Sequence, residues 1–445
     1  MKIERFGPLK ETTIIPSSVM YLTGAQASGK SVLAKLFYYF RMFKDEYMEL
    51  LLNSSNVEWG KFGGNFKGEM RSKFIEMFGE ARDIGSFRIL YYYTSEDFAE
   101  VRSYEKENTY RFSVDFSMPL YSKLRAIFGK KRELTKNSEL EGNTLNAVKR
   151  NETAYRKNII NELRKAFDDD AFIMLMPSGR GALALMPVMQ AILTCDVKRT
   201  DFFKTRQPFT SQPNVIDAPT RNFLIEVKRM REKLLSNQFK EELREALEKA
   251  SEVRLIAQLS ESILNGWFVP DSNGYDDCIE VKGNRNAKVL MTHASSGQQE
   301  AVWLLNMMLV YAVEKRKCLL VIEEPETHLH PEAQYNLVKA ICAFCNCTGS
   351  QVIITTHSTY VLSTYNNMAL AGDCAKKPER IEELQRIIPR ECWMDPDEFS
   401  AYAMKEGQLI NIKRDEQVLA DISELDAIAF VRDEEFRKLA DLLWN

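Results

Sequence analysis

Residues Gly24–Ser31 have the spacing of a loop that binds phosphate. Their sequence, GAQASGKS, fits the pattern GxxxxGK followed by Ser or Thr. Glycine lets such a loop curl until successive amide groups point at one anion, which a lysine and a hydroxyl help to hold. We expect Lys30 to reach the β- and γ-phosphates of a nucleotide and Ser31 to hold Mg²⁺. The predicted phosphate contacts come from Gly24, Ala27, Ser28, Gly29, Lys30 and Ser31.

Two elements must position this loop. The apolar run Val19–Leu22 predicts a strand that enters it, and the pattern from Lys30 to about Leu52 predicts the helix that leaves it. The positive end of that helix would add to the attraction for an anion. A glycine-rich turn without a ligand is the alternative, and the flanking strand and helix count against it.

Ser295-Ser296-Gly297 is a second candidate anion site. It precedes a helical pattern predicted over Ser296–Glu314. Hydroxyls and free amides at a helix start point the same way, and the helix dipole favours an anion there. The alternative is a plain capping sequence with no ligand.

Two carboxylates follow the apolar run Cys318–Ile322. That run predicts a strand buried on both faces, and Glu323 and Glu324 stand at its end. In open α/β sheets, ligand-binding residues gather at the carboxyl edge. Glu323 is a candidate for holding hydrated Mg²⁺, and Glu324 for orienting and polarising an attacking water. A solvated acidic turn is the alternative.

A histidine completes the series. A second buried strand is predicted over Val352–Thr355, and His357 follows it. The loop, the Ser-Ser-Gly turn, the acidic strand end and the histidine occur in this order along the chain. In that order they resemble the ABC-type ATPase heads, in the branch that includes SMC-like repair ATPases. The resemblance covers most of residues 1–30 and 255–365.

The resemblance implies a fold, two cofactors and a role for each motif. The fold is an α/β P-loop ABC-type ATPase head with a central, mainly parallel sheet, an antiparallel β-lobe and a helical insertion. ATP and Mg²⁺ are the implied cofactors. ASSGQ stands where these heads have the signature LSGGQ, LLVIEE stands for the Walker B strand, and His357 stands for the switch histidine.

Such heads work as head-to-tail pairs, which implies a homo-oligomer. Each nucleotide lies between one subunit's phosphate loop and the partner's signature. Ser295 and Gly297 would therefore touch the γ-phosphate of a neighbour's ATP, with Ser296 in the same turn. The implied catalytic residues are Lys30, Glu324 and His357.

Two departures from the family pattern affect the site. Walker B usually ends Asp-Glu, whereas Glu323-Glu324 is one methylene longer at the metal position, which suits contact through a bridging water. The Q-loop glutamine has two candidate positions, Gln190 or the stretch around Ser178–Arg180. Arg180 has two interpretations, a role at the nucleotide or a structural role.

The segment EEPETHLHP at 323–331 narrows the resemblance. With ASSGQQE upstream and TTHS downstream, it is similar to AAA ATPases of the OLD-nuclease, Septu and PARIS type from bacterial anti-phage defence. That implies a sensor or scaffold that controls a separate effector, a nuclease or toxin. The residues after His357 are too few for a TOPRIM nuclease domain, and Asp395 and Asp397 are interpreted as surface acids.

Charge supports an alternative function, an SMC-like repair or recombination ATPase that binds DNA directly. Residues 121–166 carry twelve Lys/Arg and five Glu, a net charge of +7, as a DNA-binding surface requires. A solvated helical face or a protein-binding surface would carry the same charge. Residues 395–445 carry thirteen Asp/Glu and six Lys/Arg, a net charge of −7. A transporter subunit is a third and less favoured option.

Composition sets the outer limits. The chain has 445 residues, of which 45% are hydrophobic and 28% charged, with a net charge of −3; this excludes disordered, collagen-like and disulfide-scaffold classes. No signal region or membrane span is predicted, and eight scattered cysteines favour a reducing compartment, so we expect a cytoplasmic protein without a membrane partner. Cys342, Cys345 and Cys347 are interpreted as buried thiols in a helix rather than metal ligands.

The predicted layout is one ATPase head split by an insertion. Its parts are 1–120, the N-terminal half of the head with the phosphate loop; 121–170, a basic helical insertion; 171–219, a return to the head; 220–265, a short helical stub; 266–370, the C-terminal half with signature, Walker B and switch histidine; and 371–445, an acidic C-terminal region.

Overall fold

The structure is a computed structural model. It describes residues 1–54, 57–107, 109–140, 145–181, 217–272, 276–284, 287–413, 419–421, 434–435 and 437, without the side chains of 132–155 and 378. The chain divides into two compact units. The first comprises Met1–Ile15 and Lys35–Ile173, and the second comprises Pro16–Ala34 and Met174–Asn445.

The first unit is built on an antiparallel sheet with the strand order β2-β1-β4-β5-β6. Its strands are β1 (Lys2–Glu4), β2 (Thr12–Thr13), β4 (Phe87–Tyr92), β5 (Phe98–Lys106) and β6 (Thr109–Phe116). Its helices are Phe43–Asn53, Trp59–Phe78, Ala81–Ile84, Met118–Leu140 and Leu145–Ala166. Aromatic rings pack in this unit: the buried Phe66 stacks on the half-buried Phe116, and the buried Tyr47 meets Phe66 edge to face.

The second unit contains the central sheet, with the order β14-β13-β3-β12-β11-β7. Its strands are β3 (Val19–Gly24), β7 (Phe172–Met176, whose first two residues belong to the first unit), β11 (Cys318–Glu323), β12 (Gln351–Thr355), β13 (Phe399–Lys405) and β14 (Gln408–Asn411). The pairs β3–β12, β11–β12 and β3–β13 are parallel, and β13–β14 is antiparallel. The predicted α/β class, with a mainly parallel central sheet, an antiparallel lobe and a helical insertion, is confirmed.

The register of the central sheet sets the position of the site. Leu22 pairs with Thr355, and Thr355 pairs with Glu323. The phosphate loop, Glu324 and His357 come directly after these strand ends, so they share the carboxyl edge of the sheet. Strands β3, β11 and β12 are almost entirely buried, as their continuous apolar runs predict.

The remaining elements of the second unit are a small sheet and a set of helices. The sheet has the order β10-β9-β8, with β8 (Gly266–Val269), β9 (Cys278–Val281) and β10 (Lys288–Leu290). The α-helices are Ala218–Leu235, Asn237–Lys249, Ser251–Leu264, Ser296–Val313, Pro331–Thr348, Thr359–Cys374 and Ile381–Ile387. Across the described part of the chain, no helix is long and apolar enough to cross a membrane.

The structure adds to three local predictions. The helix predicted from Lys30 to Leu52 is wrong as a single helix, because the segment forms two, Lys30–Arg41 and Phe43–Asn53. The helical stub predicted at 220–265 contains three helices, with ends at Leu235, Lys249 and Leu264. Strands β13 and β14 lie in the region predicted only as acidic. The sequence of β13, FSAYAMK, alternates small, polar and aromatic residues and lacks the apolar run of the other central strands.

The cysteine cluster lies on the helix Pro331–Thr348. Cys342 and Cys345 are buried, and burial raises the pKa of both thiols well above the ordinary value. The prediction of buried thiols in a helix is confirmed for these two residues, whereas Cys347 is only half-buried.

Candidate nucleotide site

The phosphate loop connects β3 to the helix Lys30–Arg41. Gly24 has φ 135°, and a Cβ atom there would lie 2.5 Å from the carbonyl oxygen of Met404 on β13. Gly29 also has a positive φ, 108°. Ala27 adopts a left-handed conformation with φ 59°, which is uncommon for a residue with a side chain. Both the loop's curl and its packing against β13 therefore require glycine at position 24.

Lys30 turns its ammonium group into this loop. Its Nζ donates hydrogen bonds to the carbonyl oxygens of Gly24 at 2.9 Å and Ala25 at 2.8 Å. Burial lowers the pKa of Lys30, and the charges of Glu324 and Glu326 oppose that shift. The ammonium group is thus held by carbonyls of the loop, and a phosphate oxygen would offer it a charged acceptor in their place.

Glu323 ends β11 as a buried acid, with 5% of the residue exposed. Its Oε2 accepts a hydrogen bond from the amide of Ser178 at 3.3 Å. Its Oε1 is buried and has no hydrogen-bond partner among the described residues. A buried carboxylate oxygen without a partner is costly unless a cation or water meets it, so this acid fits a hydrated Mg²⁺.

Glu324 and His357 come together at the strand ends. Oε1 of Glu324 lies 3.5 Å from Nε2 of His357, and both side chains are 38% exposed. Glu324 has φ 44°, and its amide donates to the carbonyl of Thr355 at 2.9 Å. The carboxylate therefore faces solvent next to an imidazole, as a group that orients a water must.

Glu326 is a site residue that the sequence reasoning missed. Its Oε1 accepts hydrogen bonds from Oγ1 of Thr356 at 2.6 Å and from the amide of His357 at 2.9 Å. The residue is 9% exposed. It fixes the backbone of the histidine segment to the acidic segment. In the sequence, Glu326 stands out as the third acid of the segment EEPE. Its hydrogen-bond partners lie about thirty residues further along the chain, so the sequence does not indicate the contact.

The Ser-Ser-Gly turn caps the helix Ser296–Val313, the signature helix. Oγ of Ser295 accepts from the amide of Gln298 at 3.3 Å, and Oε1 of Gln298 accepts from the amide of Ser295 at 3.0 Å. This is a capping box. Ser295 and Ser296 are exposed. The turn therefore caps its helix, and its exposed hydroxyl groups stay available to an external anion.

Gly297 lies against the segment that follows the acids. A Cβ atom on Gly297 would lie 2.7 Å from the carbonyl oxygen of His328 and 3.3 Å from Cδ2 of Leu329. His328 itself has a positive φ of 62°. The signature turn and the acidic segment therefore approach closely within one chain.

We predict that Gly297→Ala lowers the ATPase kcat by about tenfold or more, because the added methyl must displace the signature turn or the His328 segment. Steady-state ATP hydrolysis measures this effect. Gly64→Ala is the matched control: Gly64 lies in the helix Trp59–Phe78 with open space around a new Cβ atom. Equal activity of the two variants would contradict the prediction.

Arg180 is closed off from solvent and from any ligand that approaches through it. The side chain is fully buried, and its guanidinium group donates to backbone carbonyls of Glu300 and Glu323 at 2.9 and 3.0 Å. Of its two interpretations, the structural one is therefore supported. Gln190, the other Q-loop candidate, lies outside the described residues.

The structure thus brings together Lys30, Glu323, Glu324 and His357 near one edge of the central sheet, whereas the signature turn lies at the start of its own helix. A phosphate loop after one parallel strand, with acids at the end of another strand of the same sheet, defines a P-loop ATPase head. The chain belongs to the AAA ATPase domain family, whose model matches residues 1–362.

Three solved structures align with most of the chain at low sequence identity. One is an Smc head bound to the C-winged helix domain of ScpA (11% identity, TM-score 0.39, covering 93% of this chain and 97% of that chain). A second is the Smc head domain with an extended coiled coil bound to the C-terminal domain of ScpA derived from Pyrococcus furiosus (12% identity, TM-score 0.38, covering 97% of this chain and 98% of that chain). A third is the SMC head domain from Thermotoga maritima (10% identity, TM-score 0.34, covering 92% of this chain and 96% of that chain). No curated protein matches the chain.

Proposed function

We propose that this protein is an ABC-type ATPase that closes head to tail with a second copy on ATP and thereby controls a separate effector. The observation that carries the ATPase proposal is the 3.5 Å approach of His357 to Glu324 on the sheet edge that also holds Lys30. A solvent-facing carboxylate beside an imidazole provides for a positioned water, and the buried lysine provides for phosphate.

The residues have distinct roles in this proposal. Gly24, Ala27, Ser28 and Gly29 supply the loop, and Lys30 meets the β- and γ-phosphates. Ser31 and, through a water, Glu323 would hold Mg²⁺, which when bound neutralises charge on the phosphates. Glu324 orients and polarises the attacking water. His357 contacts the γ-phosphate, and Glu326 fixes the backbone of His357.

The head-to-tail arrangement is supported by the exposed signature turn. Ser295 and Ser296 are exposed at a helix start, where free amides and the helix dipole favour an anion. A γ-phosphate bound to another copy supplies such an anion. ATP would then hold two copies together, and hydrolysis would release them.

Control of a separate nuclease or toxin in anti-phage defence rests on the resemblance carried by EEPETHLHP. The purified chain, given ATP, Mg²⁺ and plasmid or linear DNA, is expected to hydrolyse ATP and leave the DNA intact. Addition of the product of the neighbouring gene is expected to produce the toxic activity. DNA cleavage by the pure chain, absent from an equally purified Lys30→Ala variant, would contradict the controller role.

Direct DNA binding is the second candidate, and exposed basic side chains favour it. Arg125, Lys157 and Arg164 are exposed on the helices Met118–Leu140 and Leu145–Ala166. Two other cations of the segment have acidic partners: Lys123 with Asp97 at 2.5 Å and Lys130 with Glu162 at 2.7 Å. These pairs reduce the charge that the described part of the segment offers to phosphate.

A salt titration of DNA binding separates the two candidates. For a controller we expect weak binding that the triple charge reversal of Arg125, Lys157 and Arg164 does not change. A DNA-acting ATPase would bind with an affinity that falls as salt rises, with a log–log slope of about −0.9 for each phosphate contacted. The triple reversal would then make that slope shallower. This second outcome would favour the repair-type function.

A further inference from the structure

Arg180 is a buried cation that the ATPase chemistry does not use. It follows β7, and none of its surface is exposed. Its Nε donates to the carbonyl of Glu300 at 2.9 Å, and its Nη1 donates to the carbonyls of Glu323 at 3.0 Å and Pro177 at 3.3 Å. Its Nη2 donates to the carbonyl of Pro325 at 3.3 Å. A planar guanidinium group therefore joins three backbone segments.

Two of these segments belong to the two contributions that a chain would make to a head-to-tail pair: the signature helix and the segment around Glu324. Glu300 lies in the second turn of the signature helix, which Ser295 caps. Its carboxylate Oε2 is 3.8 Å from Nε of Arg180, so the contact also has a charge component. Glu323 and Pro325 flank Glu324. The guanidinium group thus holds the signature helix and the backbone on both sides of the water-orienting acid.

The residues on either side of Arg180 tighten the same connection. A Cβ atom at Gly181 would lie 3.0 Å from the carbonyl carbon of Gln299 and 3.1 Å from Oε1 of Glu300. On the other side, the amide of Ser178 donates to Oε2 of Glu323. The segment 177–181 packs closely against the start of the signature helix, so a shift of that helix must move the acidic strand end.

We propose that Arg180 is a positioning residue that couples the two ATP sites of a head-to-tail pair. The inference rests on the proposed function. In such a pair, a chain contributes its signature to one site and its Glu324 to the other. Arg180 links these two contributions within the chain. Engagement of the signature by the partner's ATP therefore aligns Glu324 at the chain's own ATP.

Arginine suits this role because its rigid fork presents several N–H donors at fixed angles to carbonyls in different segments. Lysine keeps the charge but offers a single ammonium group on a flexible stem. Arg180→Lys is therefore expected to lower the ATPase kcat by about tenfold while the dissociation constant for a fluorescent ATP analogue changes by less than about twofold.

The matched control is Arg231→Lys. Arg231 is also buried and holds Asp277 with contacts of 2.7 and 2.6 Å and the carbonyl of Asp271 at 3.0 Å. Arg231→Lys should lower the melting temperature as much as Arg180→Lys does, and it should leave kcat per folded molecule unchanged. If the two variants lose kcat equally, Arg180 is merely structural.

Mixed pairs test the coupling itself. A catalytic chain is paired with an excess of a Glu324→Gln chain, which is expected to bind ATP without hydrolysing it. Ser295→Ala in the catalytic chain then alters only the signature that faces the silent site. We expect it to lower turnover at the intact site by about fivefold or more, and to have no further effect once Arg180→Lys is present in the same chain.

Two outcomes overturn the coupling. One is unchanged turnover of the mixed pair with Ser295→Ala, and the other is the same loss with and without Arg180→Lys. If Arg180→Lys does not fold, Glu300→Gln replaces it, since it removes the charge that faces the guanidinium group and leaves the carbonyl acceptor. Failure of the proposed function is recognised separately, because wild-type protein would then neither hydrolyse ATP nor pair with the Glu324→Gln chain.

Discussion

Glu324→Gln is expected to reduce ATP turnover by about 100-fold or more, the usual contribution of a group that assists proton transfer. Glutamine keeps the size of the side chain and can still contact His357, which lies 3.5 Å away in the native chain. It carries no negative charge to polarise a water. ATP binding should persist, because Lys30 and the loop are unchanged. Two copies should therefore stay closed on ATP.

The measurement combines steady-state hydrolysis with molar mass in the presence of ATP and Mg²⁺. We expect the variant to have a larger molar mass with ATP than without it, and the wild type to return to its starting mass as ATP is consumed. Glu332→Gln is the control, because Glu332 is an exposed acid in the first turn of the helix Pro331–Thr348. Wild-type turnover in Glu324→Gln would show that another group assists the water.

The sheet edge that carries the candidate site was predictable because its elements carry local signals. Strands β3, β11 and β12 are continuous apolar runs, and a run of that kind predicts a strand covered on both faces. Parallel strands end at one edge, so residues that follow them meet there whatever their separation in sequence. This geometry explains why Glu324 and His357 were predicted to lie near the phosphate loop.

The connections between these segments had no local signal. Arg180 is one of 60 Lys and Arg residues, and its partners Glu300 and Glu323 lie 120 and 143 residues further along the chain. Those partners are backbone carbonyls, which every residue possesses, so no residue type at any spacing identifies them. The buried role of Arg180 follows only from the fold. Strand β13 pairs with β3 but was missed, because its sequence FSAYAMK lacks the continuous apolar run of the other central strands.

Lys30→Ala is expected to abolish ATP binding. The ammonium group is the buried cation that the loop directs at its own centre, with contacts of 2.9 and 2.8 Å to the carbonyls of Gly24 and Ala25. Without it, the loop would offer the β- and γ-phosphates no positive side chain to offset the nearby charges of Glu324 and Glu326. A ligand at 100 times its dissociation constant stabilises a protein by about 2.7 kcal/mol. Thermal unfolding with and without ATP and Mg²⁺ should therefore show a stabilisation in the wild type that is absent from the variant.

Two comparisons separate loss of the phosphate contact from general damage. In the absence of nucleotide, Lys30→Ala should unfold near the wild-type temperature, because the loop carbonyls that lose the ammonium group lie beside exposed residues and can be hydrated. Lys240→Ala removes an equal charge from an exposed position on the helix Asn237–Lys249 and should keep the full ATP-induced shift. An ATP-induced shift of wild-type size in Lys30→Ala would mean that the nucleotide binds elsewhere. The roles proposed for Glu324, His357 and the signature turn would then also be unsupported, because all of them depend on a γ-phosphate held at this loop.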